Sequence, residues 1–335
     1  MTGHPFDALT PQAVLDALDT VGLRGDGRLL QLNSYENRVF QVFLEDGRAV
    51  VAKFYRPGRW SDAQIQEEHA LALEAQAEDV PVVAPLSLGD SAATLALAEI
   101  DGIAFWFAVQ PRVGGRGPEM DDPDTLRWLG RFIARLHNVG ARRPFRHRLS
   151  IDAQTFGTAR LQRLEALDAV PPGQLDGWRA VSRDAVAAAE SALAAINGLQ
   201  TLRLHGDAHR GNILWRDEGP HVVDLDDAAM GPAVQDLWMF LSGPREAMQS
   251  QLADVLAGYQ SIRDFDRREL ALIEPLRTLR MIHHSAWLAE RFDDPAFPAA
   301  FPWFGGAGYW GQQTTQLREQ LAAMAEDPLR PGFDA

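Results

Sequence analysis

Leu204-His205-Gly206-Asp207-Ala208-His209-Arg210-Gly211-Asn212, followed by Val222-Val223-Asp224-Leu225-Asp226, is the stretch on which the fold assignment turns. It sets a carboxylate at 207, a side-chain amide five residues on at 212, and a second carboxylate twelve residues later at 224. Short apolar runs at 213–215 and 221–223 read as strands beside these groups. Gly206 and Gly211 argue for a loop, so the four-residue spacing of His205 and His209 does not put them on one helix face as a metal pair. His205 reads as a brace of the loop, and His209 as a group that orients Asp207 or its ligand. An aspartate beside a glycine is a common turn residue; the spacing of the whole set carries the argument.

Working outward towards the N-terminus, Thr10-Pro11 reads as an N-cap with proline at the first helical position, opening a helix to about Val21. The period then changes to that of strands at 27–32, 38–44 and 48–55, the last two joined into a hairpin by Glu45-Asp46-Gly47. Ser61 caps a helix that runs to about Asp79. Residues 80–85 are extended, and 95–99 and 103–110 complete the strands. Val113-Gly114-Gly115-Arg116-Gly117-Pro118 breaks the composition and sets the expected domain boundary, giving lobes of 1–112 and 113–335. Beyond it the pattern is helical, over 124–140, 153–167, 174–197, 232–241, 245–260, 267–292 and 313–326. A small sheet-rich lobe followed by a larger helical one is an α+β, two-lobe arrangement.

Bulk composition narrows the function. The chain has 335 residues, 46% hydrophobic and 23% charged, with a net charge of −14 and no cysteine. The absent cysteines exclude disulfides, a thiol nucleophile and cysteine-ligated metals. A chain this acidic disfavours nucleic-acid binding. No apolar run approaches the roughly 20 residues of a membrane span, so no membrane insertion is expected. The N-terminal Met1-Thr2-Gly3-His4-Pro5-Phe6-Asp7 lacks the basic start and apolar core of a signal peptide, so the expected residence is cytoplasmic.

One further residue turns the spacing into chemistry. Lys53 interrupts the apolar strand Val50-Val51-Ala52-Lys53-Phe54-Tyr55. A lysine there either faces solvent from an edge strand or points into a cleft and meets nucleotide phosphates. The second role needs a carboxylate to hold the lysine, and the helix that follows offers Glu67 and Glu68. Ile65, Glu68 and Ala72 share the face that must meet the sheet, which favours Glu68 and leaves Glu67 as the alternative. With Lys53, the 207/212/224 set reads as an ATP-dependent phosphoryl-transfer site: Asp207 orients the attacking hydroxyl, while Asn212 and Asp224 offer hard oxygen ligands to magnesium. Asp226 is a second candidate ligand. Asn33-Ser34-Tyr35-Glu36-Asn37-Arg38, between two strands, is the expected phosphate loop. It has no glycine-rich pattern, so Ser34, Asn37 and Arg38 would supply side-chain donors; a plain polar hairpin is the competing reading.

These elements together resemble the aminoglycoside-phosphotransferase and choline-kinase branch of the protein-kinase-like superfamily. The His-Gly-Asp-x-His-x-x-Asn block, the later Asp-x-Asp, Leu136-His137, and Gly231-Pro232 with Asp236-Leu237 all look like that branch. Ser34-Tyr35-Glu36-Asn37-Arg38, Asn212 to Asp217, Val223 to Ala228 and Asp294-Pro295-Ala296-Phe297-Pro298 are similar to its bacterial stress-response kinases. The resemblance covers about residues 28–290. It implies a Ser/Thr protein kinase with Asp207 as catalytic base, Asn212 and Asp224 as Mg2+ ligands and Lys53 as the phosphate-binding lysine. The adenine edge would meet backbone near Val109–Arg112, with Gln110 and Arg112 as candidates, since Pro111 has no N–H. The partners implied are ATP and a protein bearing a serine or threonine, the chain itself included. Two alternatives stand beside this: a small-molecule kinase on the same fold, and a nucleotide-binding scaffold without catalysis. The aromatic segment 292–309 reads either as a core-packing tail or as a loop shaping the acceptor cleft.

Overall fold

The computed structural model describes residues 4–331; the N-terminal start, Met1-Thr2-Gly3, and the last four residues lie outside them. The chain forms two compact units. The first holds the chain up to Pro118 together with Arg146–Arg148 and Gly211–Asp226. The second holds Glu119–Phe145, Leu149–Arg210 and the chain from Asp227 onward. The expected single boundary after Arg112 is therefore replaced by a chain that leaves and re-enters its first unit twice.

The first unit begins with helix α1 (Pro11–Asp19), capped by the Thr10 side chain. Strands β1 (Gly25–Gln31), β2 (Arg38–Leu44) and β3 (Ala49–Phe54) follow, then helix α2 (Asp62–Ala77), β4 (Ala96–Ile100) and β5 (Ile103–Pro111). They make one antiparallel sheet in the order β1-β2-β3-β5-β4. The β2–β3 turn forms where Glu45-Asp46-Gly47 places it, with Gly47 at φ +85° and the Asp46 carboxylate accepting the Arg48 N–H at 2.9 Å. Strand alternation sends Phe40, Val42, Leu44, Val50, Ala52 and Phe54 to one face, where α1 adds Val14 and Leu18 to a core completed by Phe105, Phe107 and Val109. Lys53 is out of phase with that set. It lies on the other face, where Tyr55 and Ala108 pack with Ile65 of α2. A reciprocal Ser61–Gln64 capping box starts α2.

In the second unit, α3 (Pro123–Gly140), α4 (Ala159–Ala166) and α5 (Pro172–Ala195) precede the three-residue strand β6 (Leu202–Leu204). The hairpin β7 (Ile213–Arg216) and β8 (Gly219–Val222) returns to the first unit, where Val83 donates to the Val222 carbonyl at 3.0 Å. Strand β9 (Ala229–Gly231), α6 (Gln235–Trp238), α7 (Arg245–Gln260), α8 (Ile273–Ala289), α9 (Ala296–Ala300) and α10 (Ala307–Met324) complete the second unit. No described helix is long and apolar enough to cross a membrane.

Several elements differ from the expectation. The helix expected over 153–167 opens with a wider π-helical turn at 153–158. The one expected over 267–292 is a 3-10 stretch to Leu272, then α8, with Pro275 in the first turn, where its missing N–H costs no bond. The expected 232–241 helix shrinks to α6. Strands β6 and β9 pair with each other, and Met230 of β9 also bridges to Ser150; at three residues each they are too short to show a period.

Helices α3 and α7 pack closely through two glycines. A Cβ on Gly130 would overlap the Val255 carbonyl, and one on Gly258 would overlap the Arg127 carbonyl. Backbone cannot step aside as a flexible side chain can. Gly258→Ala should therefore destabilise the protein: the ~1 kcal/mol gain in helix propensity is outweighed by an overpacking cost of about 3 kcal/mol. A urea melt showing no fall in the midpoint would refute this packing.

Candidate active site

Strand β3 delivers Lys53 to a buried cluster of charges within the first unit. Its ammonium lies 3.0 Å from Asp226, 3.1 Å from Asp224 and 3.5 Å from Glu68. The Arg148 guanidinium binds Glu68 at 2.7 Å and the Asp226 carbonyl at 2.5 Å, and Arg59 pairs with the Asp226 carboxylate. Three cations thus face three carboxylates. Burial would lower the Lys53 pKa, but Asp226 and Glu68 more than offset it and hold the ammonium charged, well above the lysine range. Burial pushes the Glu68 carboxyl up, against the pull of Lys53 and Arg148. Asp226 goes the other way: burial would raise it, but Arg59, Lys53 and Arg148 hold it well below the carboxylate range.

The Glu67 alternative has another task. Its carboxylate accepts the backbone N–H groups of Arg146, His147 and Arg148, at 2.6, 2.9 and 3.0 Å, and so fastens that segment to the first unit. Glu68 is the carboxylate that meets Lys53.

Asn212 and Asp224 stand at the open end of the β7–β8 hairpin. Ile213 pairs with Val222, and the Asn212 carbonyl accepts the Val223 N–H at 3.0 Å, so the two candidate ligands are neighbours across the hairpin mouth. Asp224 has φ +62°, a left-handed conformation rare outside glycine, and its side chain is 53% exposed. Asp226, two residues on, is buried and committed to Lys53, Arg59 and Asn37. The two aspartates have parted into an outward group and a structural one.

The expected phosphate-loop donors separate in the same way. Ser34 is half-buried and makes no hydrogen bond among the described residues. Asn37 departs from the expectation: it is buried, donating to Asp226 at 3.2 Å and accepting the Arg56 N–H at 3.1 Å. Arg38 departs too. Its guanidinium lies 4.1 Å from the Phe6 ring and donates to the Tyr35 carbonyl at 3.1 Å. Gln110 is half-buried on β5 opposite Val51. Arg112 donates its backbone N–H to the Ala49 carbonyl at 3.3 Å and its Nε to Gln41, so that backbone N–H is not spare for an adenine edge.

The second unit carries Asp207. The turn before it needs a glycine: Gly206 has φ +82°, and a Cβ there would overlap the Asp227 carbonyl. Asp236, fully buried, accepts the His205 and Gly206 N–H groups at 2.8 and 2.9 Å and meets His137 Nε2 at 3.1 Å, while His137 Nδ1 lies 2.9 Å from the Tyr259 hydroxyl. His205 Nδ1 accepts the Asp207 N–H at 3.3 Å. His209 lies 3.4 Å from one Asp207 oxygen and Arg280 pairs with the other. Burial would raise the Asp207 pKa, but His209 and Arg280 reverse this and keep it ionised, well below the carboxylate range.

Arg59, Arg148, Asp236 and Arg280 are the residues that motif spacing did not assign to the site. Only Asp236 left a trace in the sequence, through Asp236-Leu237; the arginines come from segments without a pattern.

A lysine held by a helix glutamate, two candidate oxygen ligands at a hairpin mouth and an ionised aspartate on a braced loop are the residue types that phosphoryl transfer uses. Residues 28–273 match the phosphotransferase enzyme family, and the chain belongs to that family. Among its relatives is stress response kinase A of Salmonella choleraesuis (strain SC-B67), 44% identical over 330 residues, 97% of this chain and 96% of the relative. Another, named serine/threonine protein kinase RdoA, from Salmonella typhimurium (strain LT2), is 43% identical over 330 residues with the same coverage. The fold is shared with the amicoumacin kinase hAmiN, solved in complex with AMP-PNP, Ca2+ and Ami. That match has a TM-score of 0.74 at 18% identity, over 99% of this chain and 98% of the other.

Behind the Asp236 anchor sits Glu269, whose carboxylate accepts the Val234 N–H at 2.9 Å. Burial raises its pKa from 4.5 to about 7. A raised carboxyl pKa contributes stability that is full below the unfolded value and is lost as pH climbs through the folded one. Wild type should therefore lose up to roughly 3 kcal/mol between pH 4.5 and 7 from this group, and Glu269→Gln, which keeps an acceptor for Val234, should not. Chemical denaturation of both proteins at pH 5 and pH 8 tests this; a stability difference between them that does not change with pH contradicts it.

Proposed function

We propose that this chain is an ATP- and Mg2+-dependent serine/threonine protein kinase of bacterial stress response and survival, acting in the cytoplasm on protein hydroxyls, its own among them. The observation that carries the reading is the divided constellation itself: Lys53 ion-paired to Glu68 beside Asn212 and Asp224 in one unit, and a braced, ionised Asp207 in the other. The choice of a protein acceptor is supported by the relative named as a serine/threonine protein kinase, at 43% identity over nearly the whole chain.

In this reading Lys53 meets the α/β-phosphates, trading its present contact with Asp224 for theirs while Glu68 and Asp226 keep it in place. Asn212 and Asp224 suit magnesium because both are hard oxygen donors and Asp224 is half exposed. Magnesium bound there would neutralise phosphate charge. Asp207 accepts a hydrogen bond from the substrate hydroxyl and aims its oxygen at the γ-phosphorus. The new P–O bond forms as the bond to the β–γ bridging oxygen breaks, ADP leaves, and the hydroxyl proton passes to Asp207 or onward to water. A carboxylate with so low a pKa is a weak base but a permanently ready acceptor. That suits a loose transition state in which positioning outweighs early proton removal.

The second reading, a small-molecule kinase, draws on the fold likeness to an amicoumacin kinase. Asp207→Asn should cut phosphoryl transfer by about a thousandfold or more while nucleotide affinity stays within a few-fold. Transfer should also need a divalent ion and stop with EDTA. Labelled phosphate should appear on serine or threonine of a protein. If an ATP-binding enzyme labels no protein but turns over one small acceptor rapidly, the second reading takes its place.

A further inference from the structure

Helix α8 links Asp207 to a cavity to which no role has been assigned. Arg280 on this helix holds Asp207. One turn further on, His284 and Ser285 line a cavity of about 340 Å³, closed on its other side by Trp303, Tyr309 and glutamines of α10. The spacing 280/284 is one helical turn, about 6 Å along the axis, and the Asp207 charge acts on His284, so the cavity lies near the aspartate within the same unit.

Its lining is unusual in chemistry. Among the described residues that form it there is no carboxylate, ammonium or guanidinium group. The His284 imidazole is kept neutral, its pKa pushed down to about 4 by burial and by Arg280. The floor is a directed chain of hydrogen bonds. Trp178 donates to Gln313 at 2.7 Å, Gln313 donates to Ser285, and Ser285 gives its own hydrogen to the Met281 carbonyl at 3.0 Å. With that hydrogen directed to Met281, the Tyr309 hydroxyl, 2.6 Å from Ser285, is placed to donate to it. Its oxygen keeps a lone pair for a ligand's N–H. Above the floor, Gln312 and Gln316 lie one turn apart on α10, both exposed, and their amides make no hydrogen bond among the described residues. Trp303, 52% exposed, supplies a flat apolar wall.

Such a site matches groups that offer N–H and C=O together. A glutamine amide can pair with a peptide bond at two points, and an aromatic face accepts an uncharged side chain. An amine would lose its hydration here without meeting a carboxylate in the lining.

We propose that this cavity is the acceptor subsite, and that it takes an uncharged stretch of polypeptide beside the reacting serine or threonine, read through its backbone amides, while turning away cationic amino-alcohol and aminoglycoside acceptors. The assignment rests on the phosphotransferase reading above and deepens it.

A positional-scanning library of serine-centred peptides, with ethanolamine and an aminoglycoside as cationic comparators, tests it on the full chain with ATP and Mg2+. Wild type should favour Gln, Asn, Thr or Ala over Lys and Arg at a position flanking the serine by tenfold or more. Gln316→Glu, an exposed change that spares folding, should raise the use of Lys and Arg at that position at least fivefold. Tyr309→Phe should raise KM for peptide several-fold with little change in kcat. Equal use of basic flanks by wild type, a Gln316→Glu profile identical to wild type, or faster transfer to either amine would overturn the proposal. ATP hydrolysis that depends on Asp207 with no peptide labelled overturns the subsite and leaves the phosphotransferase standing. An enzyme that neither binds nor hydrolyses ATP overturns both.

Discussion

The buried carboxylate of Asp236 is the constraint on which the reactive loop depends. It sits out of contact with water and accepts two consecutive backbone N–H groups, from His205 and Gly206, with His137 as a third partner. A buried carboxylate is costly unless its lone pairs are filled, and these three partners fill them. The same bonds turn the backbone sharply at Gly206, where only a residue without a Cβ clears the Asp227 carbonyl. Asp207 therefore leaves the turn in a direction set by its neighbours, and His209 and Arg280 need only adjust its charge. The support runs deeper still: Val234 rests on Glu269, and Gln235 donates to the Gly206 carbonyl at 3.1 Å.

The first unit solves a different problem, that of keeping a lysine charged on a buried sheet face. Desolvation disfavours an ammonium, and one carboxylate would leave little surplus once its own burial is counted. Here the charges come as a balanced set, Lys53, Arg59 and Arg148 against Glu68, Asp224 and Asp226. The pKa of Lys53 consequently rises and that of Asp226 falls. Asp224 is the exposed member of the set and the one with a left-handed backbone. It can exchange partners at the least cost, because less of its hydration is lost in the present pairing.

Much of this was legible in the residues. Strict alternation and a Glu-Asp-Gly turn placed the β2–β3 hairpin. A capping serine and a face of Ile65, Glu68 and Ala72 placed α2 and chose the glutamate that meets Lys53. What escaped has a common cause. Asn37 and Arg38 looked like donors in a polar loop, but which groups claim a donor depends on what is packed nearby, and here Asp226 and the Phe6 ring claim them. Strands β6 and β9 are three residues each and form only where distant segments meet, Leu202–Leu204 with Ala229–Gly231 and Ser150 with Met230. Arg148 lies in no motif, yet it is drawn into the first unit because Glu67 ties down its backbone.

The sequence by itself determined most element types and the family, and it singled out the candidate side chains at 53, 68, 207, 212 and 224, because local periodicity, turn chemistry and motif spacing are written in consecutive residues. Only the tertiary structure decided which partners each of those groups meets. It divided Asp224 from Asp226, gave Glu67 and Glu68 separate tasks, and carried the 211–226 hairpin back into the first unit. Those outcomes depend on desolvation and on hydrogen-bond partners as far apart as Lys53 and Asp224, and such pairings come into being only when the chain has folded.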